Sequence, residues 1–83
     1  MTASTASLLE TALCEIAGRD ALPTSITIDY GAPAQDDAPG APAARAWVER
    51  STRSLVFAQA EVRAADGALV AAASAVFRRV APV

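Results

Sequence analysis

The stretch from residue 55 to residue 79, LVFAQAEVRAADGALVAAASAVFRR, decides the fold. Within it, Asp66-Gly67 is a strong two-residue turn signal between two extended apolar-rich runs, which predicts a β-hairpin. Placing the turn centre on this dipeptide pairs residues into one wholly apolar face: Ala64 with Leu69, Val62 with Ala71, Ala60 with Ala73, Ala58 with Ala75 and Val56 with Phe77. The opposite face mixes polar and apolar residues: Arg63, Glu61, Gln59, Ser74, Arg78, Leu55, Phe57, Val70 and Val76. Because a one-residue slip would exchange the two faces, this pattern specifies the register.

The strand before this hairpin is placed by the same two faces. A three-residue connection, Ser51-Thr52-Arg53, sets small apolar residues beside the apolar face: Val48 beside Val56, Ala46 beside Ala58 and Ala44 beside Ala60. A connection with an even number of residues would put Arg45 and Glu49 beside the apolar face instead. We therefore expect the three-residue connection, which places Trp47 opposite Phe57 as an aromatic cross-strand pair on the outer face. The inner face is then a floor of alanine that lets a helix backbone approach closely.

One segment, residues 6–17, has the pattern of an amphipathic helix. Its apolar residues recur at helical spacing: Leu9, Ala12, Leu13, Ile16 and Ala17. Gly18 stands where a helix ends in left-handed geometry. Ser7 and Glu10 form a capping-box pattern at its start, with Ser4 or Thr5 as alternative caps.

The segment after the helix contains one further strand. Following Pro23, the run Thr24–Tyr30 alternates with period two and is rich in β-branched residues, so a half-buried strand is predicted. Residues 31–42, with three prolines and two glycines, are expected to form a loop. The prediction is therefore one α+β domain over residues 1–83, with a single N-terminal helix packed on a four-stranded antiparallel sheet. Its elements are a helix at about 6–17 and strands at about 24–30, 43–50, 54–64 and 68–79.

Composition narrows the classes of function. With 83 residues, 53 % of them hydrophobic but 22 of them alanine, the core is shallow, and oligomerisation is expected for a chain of this length. The net charge is −2 and the seven arginines are spread along the chain, so nucleic-acid binding is not expected. No apolar run is long enough to span a membrane and no signal peptide is visible, so a cytoplasmic protein without a membrane role is expected.

The chemistry available to the chain is limited. Cys14 is the single cysteine and there is no histidine, which excludes an intrachain disulfide, the usual zinc sites and Ser-His or Cys-His catalysis. No metal and no cofactor are expected. Any reaction would depend on carboxylates, hydroxyls, arginines and backbone groups.

The order of helix, strand, loop and three-stranded meander is also that of the hotdog fold. The sequence resembles the phenylacetic-acid-type acyl-CoA thioesterases of that superfamily, nearly throughout from Ser4 onward. The matching segments are Leu8-Leu9-Glu10-Thr11-Ala12, Ile26-Thr27-Ile28-Asp29-Tyr30 leading to Pro33, Arg53-Ser54-Leu55-Val56-Phe57-Ala58, Glu61-Val62-Arg63, Asp66-Gly67, Leu69-Val70-Ala71 and Ala75-Val76-Phe77-Arg78. Their order and spacing carry the resemblance, since no one of them is diagnostic.

The resemblance implies a catalytic carboxylate at Glu10, which would activate water or attack the thioester. It also implies an oxyanion segment, His-Gly-Gly, at a place that Met1-Thr2-Ala3 occupies in this chain. We therefore expect a late start, with a first strand and an oxyanion segment missing, and either a truncated form of a longer enzyme or a chain that relies on a partner. Two other interpretations of Glu10 stay open, namely a capping-box residue and an ordinary solvated carboxylate.

Three further residues are candidates for binding the substrate. Ser25 could position the attacking water, although a plain strand hydroxyl, as at Thr24 and Thr27, is the alternative. Arg53 and Ser54, together with Arg50, lie at the hairpin that in relatives approaches the CoA arm, and arginine suits phosphate. The alternative for each is a solvated turn residue.

Two functions from different classes follow. The first is an acyl-CoA thioesterase-like protein that hydrolyses or binds an acyl thioester at a subunit interface, as a homodimer paired through residues 24–30 or as a tetramer. The second is a non-catalytic hotdog module for assembly or ligand binding that has lost its first strand and oxyanion loop. The apolar outer-face residues Trp47, Phe57, Leu55 and Val76 are interpreted as a partner surface.

Overall fold

The computed structural model of the protein describes residues 4–31 and 42–80. Its elements are α1 (Thr5–Ala17), β1 (Ala21–Tyr30), β2 (Ala43–Ser51), β3 (Leu55–Arg63) and β4 (Leu69–Arg79). The four strands form one antiparallel sheet in the order β1-β4-β3-β2. The predicted α+β arrangement of one helix and a four-stranded antiparallel sheet is confirmed. Most of the predicted loop at 31–42 lies outside the described residues.

Helix α1 is capped by Ser4, whose hydroxyl accepts a hydrogen bond of 3.0 Å from the Ser7 N–H. The capping box that begins at Ser7 is therefore wrong, and the alternative cap at Ser4 is the one observed. Glu10 consequently stands in the second turn of α1. The helix ends at Gly18, whose positive φ of 98° suits a residue without a Cβ and whose N–H donates to the Cys14 carbonyl.

The core lies between α1 and one face of the sheet. Leu9 and Leu13 of α1 are completely buried. Most of the surface beneath them is alanine: Ala58, Ala60, Ala71, Ala73 and Ala75, edged by Val56, Val62 and Phe77. This set is the alanine floor that the sequence predicts. α1 lies mainly over β2 and β3 and leaves much of β1 exposed.

The β3–β4 hairpin has the predicted register along most of its length. The pairs of Val56, Ala58, Ala60 and Val62 with β4 are as expected, but Leu69 pairs with Arg63 rather than with Ala64. The difference arises because the turn is longer than two residues. Gly67, at φ 91°, donates its N–H to the Ala64 carbonyl, and Val70 becomes an extra residue in β4.

The β2–β3 connection keeps the predicted faces but changes the predicted partners. Ala44, Ala46 and Val48 lie on the inner face, yet they pair with Val62, Ala60 and Ala58, and Trp47 pairs with Gln59 instead of Phe57. The Thr52 hydroxyl accepts the Leu55 N–H at 3.0 Å and closes a longer turn. With that turn alone, Ala44, Ala46 and Val48 would lie on the outer face. One extra residue in β2, Glu49, returns them to the inner face.

Strand β1 begins at Ala21, three residues before the predicted start. Pro23 is tolerated within it because β1 is an edge strand, where a missing N–H removes no ladder hydrogen bond on the open side. Thr24 is an extra residue in the pairing with β4, and its hydroxyl donates to the Val76 carbonyl at 3.0 Å. This bulge directs Ser25 to the outer face and Ile26 to the inner face.

A larger side chain in place of an alanine of the alanine floor should force α1 away from the sheet. Ala73→Leu adds a branched side chain at an inner-face position that is 6 % exposed, so we expect the free energy of unfolding to fall by about 1–3 kcal/mol. Urea denaturation measures the change. Ala72→Leu, one residue earlier on the outer face, is the matched control and should stay within about 0.5 kcal/mol of the wild type. Equal losses in both variants would contradict the close-approach argument.

Candidate functional site

Glu10 lies on the flank of α1 that faces β1. It borders a cleft of about 620 Å³ between the helix and the first residues of β1, lined by Glu10, Thr11, Cys14, Glu15, Gly18, Arg19, Ala21, Leu22 and Pro23. The Glu10 side chain is exposed. Within residues 4–31 and 42–80, no ion pair or hydrogen bond engages its carboxylate. The capping interpretation of Glu10 is therefore removed, and its carboxylate is free to meet a ligand.

Arg53 and Ser54 lie in the β2–β3 turn, which is fastened to the end of β4. The Ser54 carbonyl accepts the Arg79 N–H at 2.8 Å, and the Arg79 side chain donates to the Thr52 carbonyl at 3.2 Å. The same guanidinium lies 3.6 Å from the Asp20 carboxylate, just before β1. The turn is therefore held at the end of the sheet where α1 connects to β1. Arg53 itself is exposed.

Ser25 lies on the outer face of the sheet, opposite to the face that α1 covers. It lines a second cleft of about 430 Å³, with contributions from all four strands: Ser25, Thr27, Glu49, Arg50, Phe57, Ala58, Gln59, Ser74, Ala75 and Val76. Its neighbour Ile26 packs against the core instead. Thr27 shares the second cleft with Ser25, whereas the Thr24 hydroxyl is bonded to backbone.

The four candidate residues do not share one cleft. Glu10 lines the inner-face cleft, Ser25 lines the outer-face cleft, and Arg53 and Ser54 line neither of the two. Within one chain, Arg53 and Ser54 are neighbours in the β2–β3 turn, and neither lines the cleft of Glu10 or the cleft of Ser25.

The outer-face cleft contains residues that sequence reasoning did not group. The sequence places Glu49 off the inner face and offers Arg50 as a candidate near the CoA arm or as a solvated turn residue, yet both border this cleft. The polar residues Gln59 and Ser74, which alternate with inner-face residues along β3 and β4, were the sequence signal that could have indicated this cleft. The bulge at Glu49, which turns Glu49 and Arg50 toward the same cleft, could not be identified from spacing.

The carboxylate of Glu61, on the outer face, has a lowered pKa. The pKa of Glu61 is lowered chiefly by the hydrogen bond from Arg63; burial opposes this as the next largest effect, and the charges of Arg63 and Arg45 lower the pKa further. Arg63 Nε lies 3.0 Å from Glu61 Oε1. Glu61 borders neither cleft, so this pair holds the end of the hairpin together rather than serving a site.

The described residues contain neither a metal-binding cluster nor a membrane-spanning helix. Among residues 4–31 and 42–80, no group of three or more Cys, Asp or Glu side chains is arranged to hold a metal ion. In the same ranges no helix has both the length and the apolar character required to cross a bilayer.

Comparisons of the chain with family models, with curated proteins and with solved structures find no match. The resemblance to acyl-CoA thioesterases therefore rests on sequence segments alone, and a function inferred from it is a proposal.

The perturbed carboxylate gives a test of the electrostatics. Arg63→Gln should raise the pKa of Glu61 toward its ordinary value, because the largest stabilisation of the carboxylate comes from Arg63. Since the folded-state pKa is depressed, the Glu61–Arg63 pair stabilises the fold above the unfolded-state pKa, and this contribution is lost as the pH falls through the folded value. NMR titration of the Glu61 side chain measures the shift. Arg45→Gln, the weaker charge partner, is the control, and an equal or larger shift there would contradict the assignment.

Proposed function

We propose that the chain is a hotdog-type, acyl-CoA thioesterase-like domain that acts on an acyl thioester at the interface of a homodimer, with Glu10 as the reactive carboxylate. The observation that carries this proposal is the exposed Glu10 carboxylate, which borders a cleft beside β1 and has no hydrogen-bond or ion-pair partner in residues 4–31 and 42–80. The arrangement of one helix over an antiparallel sheet supports it, since the resemblance implies that order of elements.

A free carboxylate at this position can promote hydrolysis in a defined way. Glu10 takes a proton from water, and the hydroxyl oxygen attacks the thioester carbonyl as that proton leaves. The C–S bond then breaks, the proton passes to the departing thiolate, and a carboxylic acid and the CoA thiol are released. Arg53, exposed in the β2–β3 turn, is available to pair with a CoA phosphate.

Strand β1 offers the edge through which two chains would pair. β4 occupies one side of β1, and within the described residues the other side has no partner strand. Because Gly31 donates its N–H to Val70 and antiparallel pairing alternates, the N–H groups of Ile26, Ile28 and Tyr30 point away from β4. Pairing of two β1 edges would satisfy these groups and set a second chain beside the Glu10 cleft.

The catalytic role is tested by neutralising the carboxylate. Hydrolysis of a panel of acyl-CoAs should fall about 100-fold or more in Glu10→Gln, the range expected for the loss of a general base. Asp66→Asn also removes one carboxylate charge, but in the β3–β4 turn and outside both clefts, and should keep at least half of the wild-type rate. Equal rates in the wild type and Glu10→Gln, or equal losses in both variants, would remove Glu10 from the mechanism.

The interface is tested by hydrogen exchange at several protein concentrations. The amides of Thr27 and Asp29, which face β4, should be protected at every concentration. Those of Ile28 and Tyr30 should become protected only as the mass measured by ultracentrifugation doubles, since only a second strand can accept their hydrogen bonds. A dimer in which Ile28 and Tyr30 still exchange freely would show that pairing uses another surface.

A non-catalytic binding or assembly module is the second candidate function. It is favoured by one observation: none of Arg53, Ser54 and Ser25 lines the cleft of Glu10. Saturable binding of CoA, weakened by Arg53→Gln, with no turnover of any acyl-CoA, would support this candidate over the enzyme.

A further inference from the structure

Two adjoining rows of side chains cross the outer face of the sheet from edge to edge. In the first row, successive strand pairings align Ser25 with Val76, Val76 with Phe57 and Phe57 with Arg50. In the second row, the aligned residues are Thr27, Ser74, Gln59 and Trp47. The outer-face cleft of about 430 Å³ lies over the first row and over Thr27, Ser74 and Gln59 of the second row, and Trp47 is not part of its lining. Its floor is therefore apolar at Val76 and Phe57, in the middle of the first row, and polar at Thr27, Ser74 and Gln59.

The two edges of the first row each carry a bulge. Thr24 is the extra residue in β1, next to Ser25, and Glu49 is the extra residue in β2, next to Arg50. Bulges bend an edge strand and re-aim its side chains, and they are frequent beside binding sites. In this sheet the bulges place the Ser25 hydroxyl on one rim of the cleft, and the oppositely charged side chains of Glu49 and Arg50 on the other rim.

The charged rim has unused binding capacity. Within residues 4–31 and 42–80, neither the Glu49 carboxylate nor the Arg50 guanidinium takes part in an ion pair or a side-chain hydrogen bond. A simple anion would meet Arg50 but would be repelled by Glu49. A molecule that carries a negative group and a positive group close together complements Arg50 and Glu49. An apolar group on the same molecule would cover Phe57 and Val76.

We propose that the outer-face cleft binds a small zwitterion with an apolar side chain, the chemistry of a free aromatic or aliphatic α-amino acid. Its carboxylate pairs with Arg50, its ammonium group with Glu49, and its side chain lies on Phe57 and Val76 across from Ser25. A second copy of the chain fits this surface less well, because it would bury Thr27, Gln59 and Ser74 at a cost for each polar group left unpaired. The site is on the other side of the sheet from Glu10 and is independent of the thioesterase proposal.

The charge requirement is tested on the wild-type protein with three probes. L-phenylalanine should bind saturably in an NMR titration and shift the amide signals of the two outer-face rows. L-phenylalaninamide lacks the carboxylate and 3-phenylpropionate lacks the ammonium group, so each should bind about tenfold more weakly or worse. The proposal is overturned by the absence of saturable shifts on the outer face, or by equal binding of the three probes.

Charge-neutral variants assign the roles within the cleft. Arg50→Gln and Glu49→Gln should each weaken binding of L-phenylalanine about tenfold or more. Arg45→Gln removes a charge from the same strand and the same face, but Arg45 lies over the Trp47 ring and outside the cleft, so binding should be retained. Equal binding by Arg50→Gln and Arg45→Gln would contradict the site. A dimer whose formation buries this face, detected by ultracentrifugation with outer-face substitutions, would overturn it as well. If a variant fails to fold, the three wild-type titrations still decide.

Discussion

The close contact of α1 with the alanine floor is the constraint on which the rest of this structure depends. A chain of 83 residues has little apolar surface to bury, and two fully buried leucines of the helix supply much of what α1 contributes. Burial of each such side chain is worth about 1.5–3 kcal/mol, provided that no void is left beneath it. Small side chains on the sheet allow that contact. α1 lies mainly above β2 and β3.

That position determines where the functional surfaces lie. Because α1 covers one side of the sheet unevenly, the flank that carries Glu10 borders a cleft next to the exposed strand β1. The face turned away from the helix is left with a mixture of polar and apolar groups. The two clefts therefore lie on opposite sides of the sheet and present different chemistry: Glu10, Glu15 and Arg19 at the helix, and the Glu49–Arg50 charge pair beside Phe57 and Val76 on the outer face.

Sequence patterns predicted most faces of β2, β3 and β4 but not the exact strand partners, and Leu69 and Val70 exchange their predicted faces, since Leu69 is 41 % exposed and Val70 is buried. Alternation placed Ala44, Ala46 and Val48 on the inner side because a whole strand contributes to that signal. The partner of Trp47 depends instead on the Thr52 hydroxyl and on one extra residue, which are local hydrogen-bonding details that hydrophobicity does not record. The same limit applies to the site. Helical spacing keeps Glu10 out of the apolar stripe of α1 but leaves its role open, and the position of Ser25 on the outer face depends on a bulge at Thr24.

The extra residue at Glu49 has a consequence for how this hairpin can evolve. Its presence and the length of the Thr52 turn are compensating features, because each alone would reverse which side chains of β2 face the helix. A single-residue insertion or deletion in the turn would therefore be tolerated only together with gain or loss of the bulge. Such paired length changes, separated by three or four positions, would mark homologous hairpins even where no side chain is shared.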